Sequence, residues 1–117
     1  MTHCQRKIIP DMKPGYTYIM GSSTGTLYIG VTSHMEVRIR QHKDGTFEGF
    51  SKLHHCTRLL YYEGHESISQ SIAREKQLKG WRREKKLNLV RSQNPEFKDL
   101  AERWGWKFIT VHKKMYP

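Results

Sequence analysis

Residues 16–30 read YTYIM-GSSTG-TLYIG, and this stretch decides the fold. Two runs rich in aromatic and branched side chains flank a run of glycine, serine and threonine, which predicts a β-hairpin with a five-residue loop. Alternate residues of a strand face opposite sides of a sheet. One face of the hairpin is therefore predicted to carry Ile19, Leu27, Ile29 and Val31, and the other Tyr16, Tyr18, Thr26 and Tyr28.

The tyrosine-bearing face of the hairpin has two interpretations. If the loop closes symmetrically, Met20 pairs with Thr26, and Tyr18 lies directly opposite Tyr28 with the two hydroxyls side by side. From this segment alone, an aromatic pair that only stabilises the sheet is the simpler interpretation. The residues that follow in the chain favour a functional site instead.

The composition indicates one small, basic domain. Its 117 residues include 21 Lys and Arg against 11 Asp and Glu, a formal charge of +10, and the pI of about 9.8 is typical of nucleic-acid-binding domains. An anionic membrane surface would also attract this charge. However, no apolar run approaches the roughly 20 residues of a membrane-spanning helix. No signal-peptide core follows the first residues, so a cytoplasmic location is expected.

The cysteines and histidines do not predict a structural metal site. Cys4 and Cys56 are too few for a disulfide framework. The run His54-His55-Cys56 consists of adjacent residues, which do not converge easily on one tetrahedral ion, and no CxxC or HxxxH pattern accompanies it. A zinc site is therefore not expected.

The segment after the hairpin predicts a helix and a third strand. Ser33 and Glu36 have the spacing of a capping box, which predicts a helix over residues 35–43 that ends at Asp44-Gly45. Residues 58–63 are rich in leucine and tyrosine and predict a strand.

The second half of the chain predicts helices. Ser67 is the expected N-cap of a helix over residues 68–79, and a basic helix is expected over residues 81–92. Asn94, followed by a proline, is expected to cap a short helix that ends near residue 103. The predicted fold is α+β, with a small three-stranded antiparallel sheet flanked by helices.

Two polar side chains on the first predicted helix lie beside its apolar stripe. Arg38 and His42 are one turn apart, along the edge of the stripe that Met35 and Ile39 form. They suit a functional site, but snorkelling of an ordinary arginine is an alternative.

Glu75 falls within the predicted buried face of the second helix, which Ile68, Ile72 and Leu78 mark. A carboxylate on such a face needs a partner. That partner is either a cation such as Arg38 or a divalent metal ion, for which an oxygen ligand near the surface is suitable.

A basic run follows Glu75. Seven cations within thirteen residues, with Trp81 among them, predict a surface that binds phosphates, although a solvated basic face is the alternative. The predicted nucleic-acid-binding residues are Arg74, Lys76, Lys79, Arg82, Arg83, Lys85 and Lys86.

Taken in order, these segments resemble the GIY-YIG nuclease superfamily, in particular its small stand-alone members close to the UvrC and intron-endonuclease type. Tyr28-Ile29-Gly30 matches the second family motif intact, whereas Tyr16-Thr17-Tyr18 keeps only the final tyrosine of the first. The later matching segments are residues 38–42, 60–63, 73–81 and 94–100. The resemblance covers about residues 15–101.

The resemblance implies a DNA endonuclease that hydrolyses phosphodiester bonds with one Mg²⁺ or Mn²⁺ ion. Glu75 is expected to hold the ion, and Arg38 to neutralise charge on the phosphate. Tyr18 is the expected general base with His42 as its helper, the reverse assignment remaining open. Tyr28 is expected to orient the water or the phosphate. All five side chains should line one concave surface.

Weak sequence specificity is expected, on single-stranded, branched or duplex DNA, because no separate targeting domain is evident. A catalytically silent nucleic-acid-binding module is the alternative. The expected organisation is a flexible leader at 1–14, the nuclease-like domain at 15–103, and a tail at 104–117 that packs on the domain or contacts DNA.

Overall fold

The structure, a computed structural model, describes residues 13–45, 49 and 53–102. The predicted tail and all but the last residues of the predicted leader lie outside these ranges. Strands and helices follow in the order β1 (Gly15–Gly21), β2 (Leu27–Thr32), α1 (Met35–Lys43), β3 (Arg58–His65), α2 (Ile68–Lys79) and α3 (Arg83–Gln93). The strands form one antiparallel sheet in the order β2-β1-β3. The predicted α+β fold is therefore confirmed. Among the described helices, none has the length and apolar character needed to cross a bilayer.

The hairpin forms as predicted, but its register differs by two residues. Tyr18 pairs with Gly30, and Tyr28 pairs with Met20, so the predicted pairing of the two tyrosines is wrong. The loop runs from Ser22 to Thr26, one residue later than the predicted symmetric loop. Tyr18 and Tyr28 remain on the same face of the sheet as diagonal neighbours.

Ser22 fixes this register. Its hydroxyl accepts hydrogen bonds from the backbone N–H groups of Thr24 and Thr26, at 3.2 and 2.9 Å. Its own N–H donates to the Thr26 carbonyl at 2.9 Å. Gly25 adopts φ +97°, a left-handed conformation that glycine accepts without strain. The loop chemistry thus selects one closure among several.

Both faces of the sheet are covered by helices. The tyrosine face, which carries Tyr18, Met20 and Tyr28, packs against Ile39 and Met35 of α1. The isoleucine face, which carries Ile19 and Ile29, packs against α2 and α3 through Leu78 and Val90. The sheet is therefore the middle layer of three, and the tyrosine face is not an open surface.

The helix starts are set by different side chains. Helix α1 has the predicted bounds, but its N-cap is His34, which makes no side-chain cap bond, so the predicted capping box is wrong. Instead, the Thr32 hydroxyl accepts a hydrogen bond from the His34 N–H at 3.0 Å and shapes the entry. The predicted cap of α2 is confirmed, because Ser67 and Gln70 form a reciprocal capping box.

The predicted buried face of α2 is correct at Leu78 and at Ile68, which lies against Gly15 of β1, but not at Ile72. Ser71 and Leu78 are buried, whereas Ile72 is 41% exposed. Helix α3 starts at Arg83, two residues later than predicted, because Arg82 is extended and Trp81 packs back against the isoleucine face.

The predicted short helix after α3 is absent from residues 95–101, which consist of turns and irregular backbone. Asn94 is the C-cap of α3, and its side chain bridges Leu60 of β3 and Lys98 at 3.0 and 2.8 Å. The Asp99 carboxylate accepts a hydrogen bond from the Leu59 N–H at 3.0 Å. This segment, residues 94–101, thereby covers part of the edge of β3, which as an edge strand would otherwise leave backbone groups unpaired.

Candidate active site

Five side chains that were predicted to form a site are brought together from four elements. The hairpin supplies two tyrosines, α1 supplies a cation and an imidazole, and α2 supplies a carboxylate. The ring of His42 lies 5.5 Å from that of Tyr18 and 5.1 Å from that of Tyr28, and the two tyrosine rings are 6.4 Å apart between centroids. The charges of Arg38 and Glu75 act on both phenols. The set is Tyr18, Tyr28, Arg38, His42 and Glu75.

The inner part of this cluster is a buried hydrogen bond. The Tyr18 hydroxyl and His42 Nε2 are 2.8 Å apart, and the two residues are 0% and 2% exposed. The prediction that all five side chains line one surface therefore needs correction, because Tyr18 and His42 lie behind the surface. Burial of Ile39 on the same side of α1 carries His42 inward with it.

Gly30 makes room for the Tyr18 phenol. A Cβ atom built at Gly30 would lie 2.5 Å from Tyr18 Cζ, well inside van der Waals contact. The glycine that ends the Tyr28-Ile29-Gly30 motif is therefore required by the ring that crosses it from β1, its register partner. This residue was not among the predicted site residues, although its place in the motif was a signal.

The outer part of the cluster consists of Tyr28, Arg38 and Glu75, which are all partly exposed. Burial raises the pKa of Tyr28, the positive charge of Arg38 lowers it, and the negative charge of Glu75 raises it. A cation, a carboxylate and a phenol thus share one partly exposed region in front of the buried pair.

The proton equilibria of the buried pair differ strongly from those in water. Burial, with a smaller contribution from the Arg38 charge, lowers the pKa of His42 to about 4. Burial also raises the pKa of Tyr18 well above 10, an effect that Tyr28 reinforces and Arg38 opposes. Near neutral pH the imidazole is therefore neutral and the phenol is protonated. Burial therefore disfavours the charged form of each partner, the imidazolium as well as the phenolate.

Glu75 is the predicted metal ligand, and its surroundings fit one kind of metal site. Its carboxylate is 21% exposed and forms an ion pair with Lys79 one turn later, at 3.2 Å. No group of three acidic, histidine or cysteine side chains suited to metal binding occurs among the described residues. One carboxylate suits a Mg²⁺ or Mn²⁺ ion that keeps several waters and shares a substrate phosphate. The predicted alternative partner, Arg38, acts together with Glu75 on both phenols of the cluster.

The predicted nucleic-acid-binding cations divide into two groups. Arg74 and Lys79 are engaged by carboxylates: Arg74 Nε bonds Glu63 at 2.8 Å, and Lys79 bonds Glu75. Much of their charge is therefore offset within the protein. The remaining five cations lie at the end of α2 and along the first turns of α3, and they are Lys76, Arg82, Arg83, Lys85 and Lys86.

Two of these cations flank a groove beside the hairpin loop. Arg83 and Lys86 line a cavity of about 450 Å³ together with Thr24 and Thr26, and Arg83 donates to the Gly25 carbonyl at 2.5 Å. Lys85 lies 4.3 Å from the centre of the Trp81 ring. Leu27, which also lines this groove, packs on the isoleucine face of the sheet, whereas the next residue, Tyr28, lies on the tyrosine face.

The match to known proteins agrees with this geometry. The model of the GIY-YIG catalytic domain matches residues 14–88. UPF0213 proteins of Staphylococcus aureus strains COL and MW2 are 30% identical over 82 residues, which are 70% of this chain and 100% of theirs. The solution NMR structure of a UPF0213 protein from Bacillus halodurans is 23% identical with a TM-score of 0.47, covering 76% of this chain and 95% of that one. The family match spans the hairpin, both polar helices and the cluster between them, and the chain belongs to the GIY-YIG family.

Proposed function

We propose that this protein is a divalent-metal-dependent DNA endonuclease of weak sequence specificity that prefers single-stranded or branched DNA. Membership of the GIY-YIG family supports nuclease-type chemistry and a nucleic-acid substrate in general. The observation that carries the specific proposal is the layered cluster, in which Arg38, Glu75 and Tyr28 stand in front of the Tyr18–His42 hydrogen bond.

The outer residues bind and polarise the scissile phosphate. Arg38 neutralises the negative charge that gathers on the phosphate oxygens during attack. Glu75 would hold a Mg²⁺ or Mn²⁺ ion, and such an ion would supply Lewis-acid stabilisation to the phosphate. The Tyr28 hydroxyl donates a hydrogen bond to the phosphate or to the attacking water and so orients it.

The inner pair removes the proton from the water. Tyr18 donates its proton to His42 Nε2, which is neutral at pH 7, while the Tyr18 oxygen accepts the proton of the attacking water. The water oxygen bonds to phosphorus, the bond from phosphorus to the leaving oxygen breaks, and that oxygen takes a proton from solvent. His42 is thus the final acceptor and Tyr18 is the relay, a path that requires the substrate complex to admit the water to the Tyr18 hydroxyl, which is shielded from solvent in this structure.

A further part of the nucleic-acid backbone binds in the groove between the hairpin loop and α3. Arg83 and Lys86 provide positive charge, and Thr24 and Thr26 provide hydroxyl groups. Contacts of this kind bind phosphates irrespective of the base, which agrees with weak sequence specificity.

The Glu75→Ala variant tests this proposal in an assay of metal-dependent DNA cleavage. We expect this variant to lose cleavage of single-stranded and duplex DNA at every Mg²⁺ and Mn²⁺ concentration. DNA binding should be unchanged or tighter, because a carboxylate that repels phosphate is removed. Glu84→Ala, on the exposed first turn of α3, is the matched control and should cut normally.

Two results would contradict the proposal. A folded Glu75→Ala protein that cuts at the wild-type rate would remove Glu75 from the reaction. A wild-type protein that binds DNA but cuts none with either metal ion would instead support the alternative of a silent binding module.

A further inference from the structure

A second cavity of about 540 Å³ lies on the tyrosine face, where Tyr62, the register partner of Tyr18, forms part of its wall. Its walls include Tyr16 of β1, Tyr62 of β3, and Met35 and Val37 in the first turn of α1. This volume lies within the range of about 300–1,000 Å³ that is usual for small-molecule sites.

The position of the cavity is tied to the candidate catalytic residues by the sheet register. Tyr62 is the register partner of Tyr18, and Tyr16 precedes Tyr18 by two residues on the same face. Two residues of a strand span about 7 Å, which is comparable to one nucleotide of an extended strand. On the helix side, Val37 directly precedes Arg38. A strand with its phosphate at Arg38 therefore has an adjacent base within reach of the cavity.

The walls of the cavity suit a flat aromatic group. Tyr16 and Tyr62 are both partly exposed, so their rings are available for stacking. The Tyr16 ring stands against Gly64, where an added Cβ would lie 3.3 Å from Tyr16 Cε2, and this close approach fixes the ring. Met35 and Val37 add apolar contact. Bases stack on such aromatic platforms with little dependence on sequence.

The charge of the cavity favours a base over a phosphate. No Lys or Arg is among its described lining residues, whereas Glu36 is. A carboxylate repels phosphate oxygens but accepts hydrogen bonds from the ring N–H and amino groups of bases. The basic groove at Arg83 and the uncharged tyrosine walls therefore suit different parts of a nucleotide.

We propose that this cavity holds one unpaired base of the DNA strand, next to the phosphate that lies at Arg38. The inference rests on the proposed function and deepens it. A base inside a duplex has to leave its stack before it can enter such a pocket. The pocket therefore makes single-stranded DNA a better ligand than duplex DNA.

The experiment measures DNA binding without divalent metal, so that it does not depend on cleavage. Tyr16→Leu and Tyr62→Leu should each weaken binding of a single-stranded oligonucleotide about tenfold, the loss of one stacked base. Duplex binding should change less than twofold. Tyr16→Phe and Tyr62→Phe keep the rings and should bind single strands as the wild type does. Folded Leu variants that bind single strands normally would overturn the proposal.

A second measurement needs no variant and covers the case in which the Leu variants do not fold. An abasic site is moved along a short single-stranded oligonucleotide, and metal-free binding to the wild-type protein is measured for each position, while cleavage of the intact oligonucleotide with Mg²⁺ is measured separately. We expect a roughly tenfold loss of affinity at one position, and equal binding at all positions would contradict the pocket. Cleavage together with equal binding would leave the proposed function intact, whereas a position-dependent loss of affinity without any cleavage would support the pocket and contradict the proposed function.

Discussion

The Tyr18 hydroxyl is the point at which the candidate active site and the core of the domain meet. It bonds His42 Nε2, crosses the backbone at Gly30, and is shielded from solvent. A buried polar pair of this kind is stable only while both partners are present, because each would otherwise lose a hydrogen bond inside the protein. Its geometry is therefore sensitive to small changes in the residues around it.

Substitution of Gly30 by alanine tests this packing. The added methyl group overlaps the Tyr18 ring, so we expect a loss of about 1–3 kcal/mol in the free energy of unfolding. Urea denaturation followed by circular dichroism measures the loss. Gly80→Ala is the control, because φ is −81° and the nearest atom lies at 3.5 Å, and its stability should be equal or slightly higher. Equal stability of the two variants would show that the Tyr18 ring moves aside without penalty.

The buried His42 imidazole should make the protein sensitive to acid. Its pKa is about 4 in the folded state against 6.5 ordinarily, so the unfolded state binds a proton that the folded state does not. The contribution of His42 to the free energy of unfolding is fully present above pH 6.5. It falls as the pH drops towards 4, by up to about 3 kcal/mol. Urea denaturation at a series of pH values measures the slope.

Two variants isolate the contribution of His42. His42→Gln cannot titrate, and its stability should depend less steeply on pH between 6.5 and 4. His34→Gln changes an exposed histidine and should keep the wild-type dependence. If His42→Gln keeps the same slope, another group is responsible for it.

At the scale of elements, the segment 94–101 acts as a clamp on β3. The Asp99 carboxylate accepts hydrogen bonds from the backbone N–H groups of Leu59 and Ala101, and it forms an ion pair with Lys43 of α1. Lys43 Nζ also donates to the Thr57 carbonyl at 3.0 Å. One carboxylate thereby joins the first helix, the start of the third strand and the C-terminal turns.

Removal of this carboxylate should loosen the clamp. We expect Asp99→Ala to lower the free energy of unfolding by about 1–3 kcal/mol, since it leaves partly buried N–H groups without their acceptor. Thermal denaturation measures the effect. Glu96→Ala removes a carboxylate from the same segment, but its pair with Lys98 is about 70% exposed, so it should be nearly neutral. An Asp99→Ala variant as stable as Glu96→Ala would argue against a clamp.

At the scale of the whole molecule, the positive charge is distributed unevenly. The formal charge is +10, yet Arg74 and Lys79 are engaged by Glu63 and Glu75. Within residues 13–45, 49 and 53–102, the cations around the start of α3 form a region suited to attract a nucleic acid over a distance. Glu75 supplies the negative charge within the candidate active site itself.

Charge reversal on α3 tests the path of the nucleic acid. We expect conversion of Arg82, Arg83, Lys85 and Lys86 to glutamate to weaken binding of all DNA sequences alike and to reduce its salt dependence. Fluorescence anisotropy at several salt concentrations measures both. Lys98→Glu, in the exposed C-terminal turns, is the control and should change binding little. Unchanged affinity of the fourfold variant at moderate salt would place the DNA elsewhere.

The sequence was sufficient to predict the hairpin, the three strands and helices α1 and α2, but not the start of α3 or the structure of residues 95–101. The Ser67 cap of α2 and the presence of the hairpin depend on neighbouring residues, whereas α1 has the predicted bounds without the predicted capping box. The family motifs named the five side chains that the fold then gathers. These are properties of residue type and spacing, which a linear sequence contains.

Three features depend on the tertiary structure: the register of the hairpin, the face of α2 that is buried, and the burial of Tyr18 and His42. The pairing of Tyr18 with Gly30 depends on bonds inside the hairpin loop that differ little in local preference from those of a symmetric closure. Which face of α2 is buried depends on the sheet it packs against, so Glu75 lies nearer the core than Ile72. The burial of Tyr18 and His42 requires α1 to cover the tyrosine face, and their shifted pKa values follow from that desolvation. Packing between distant segments is the sum of many weak contacts, and no local pattern contains that sum.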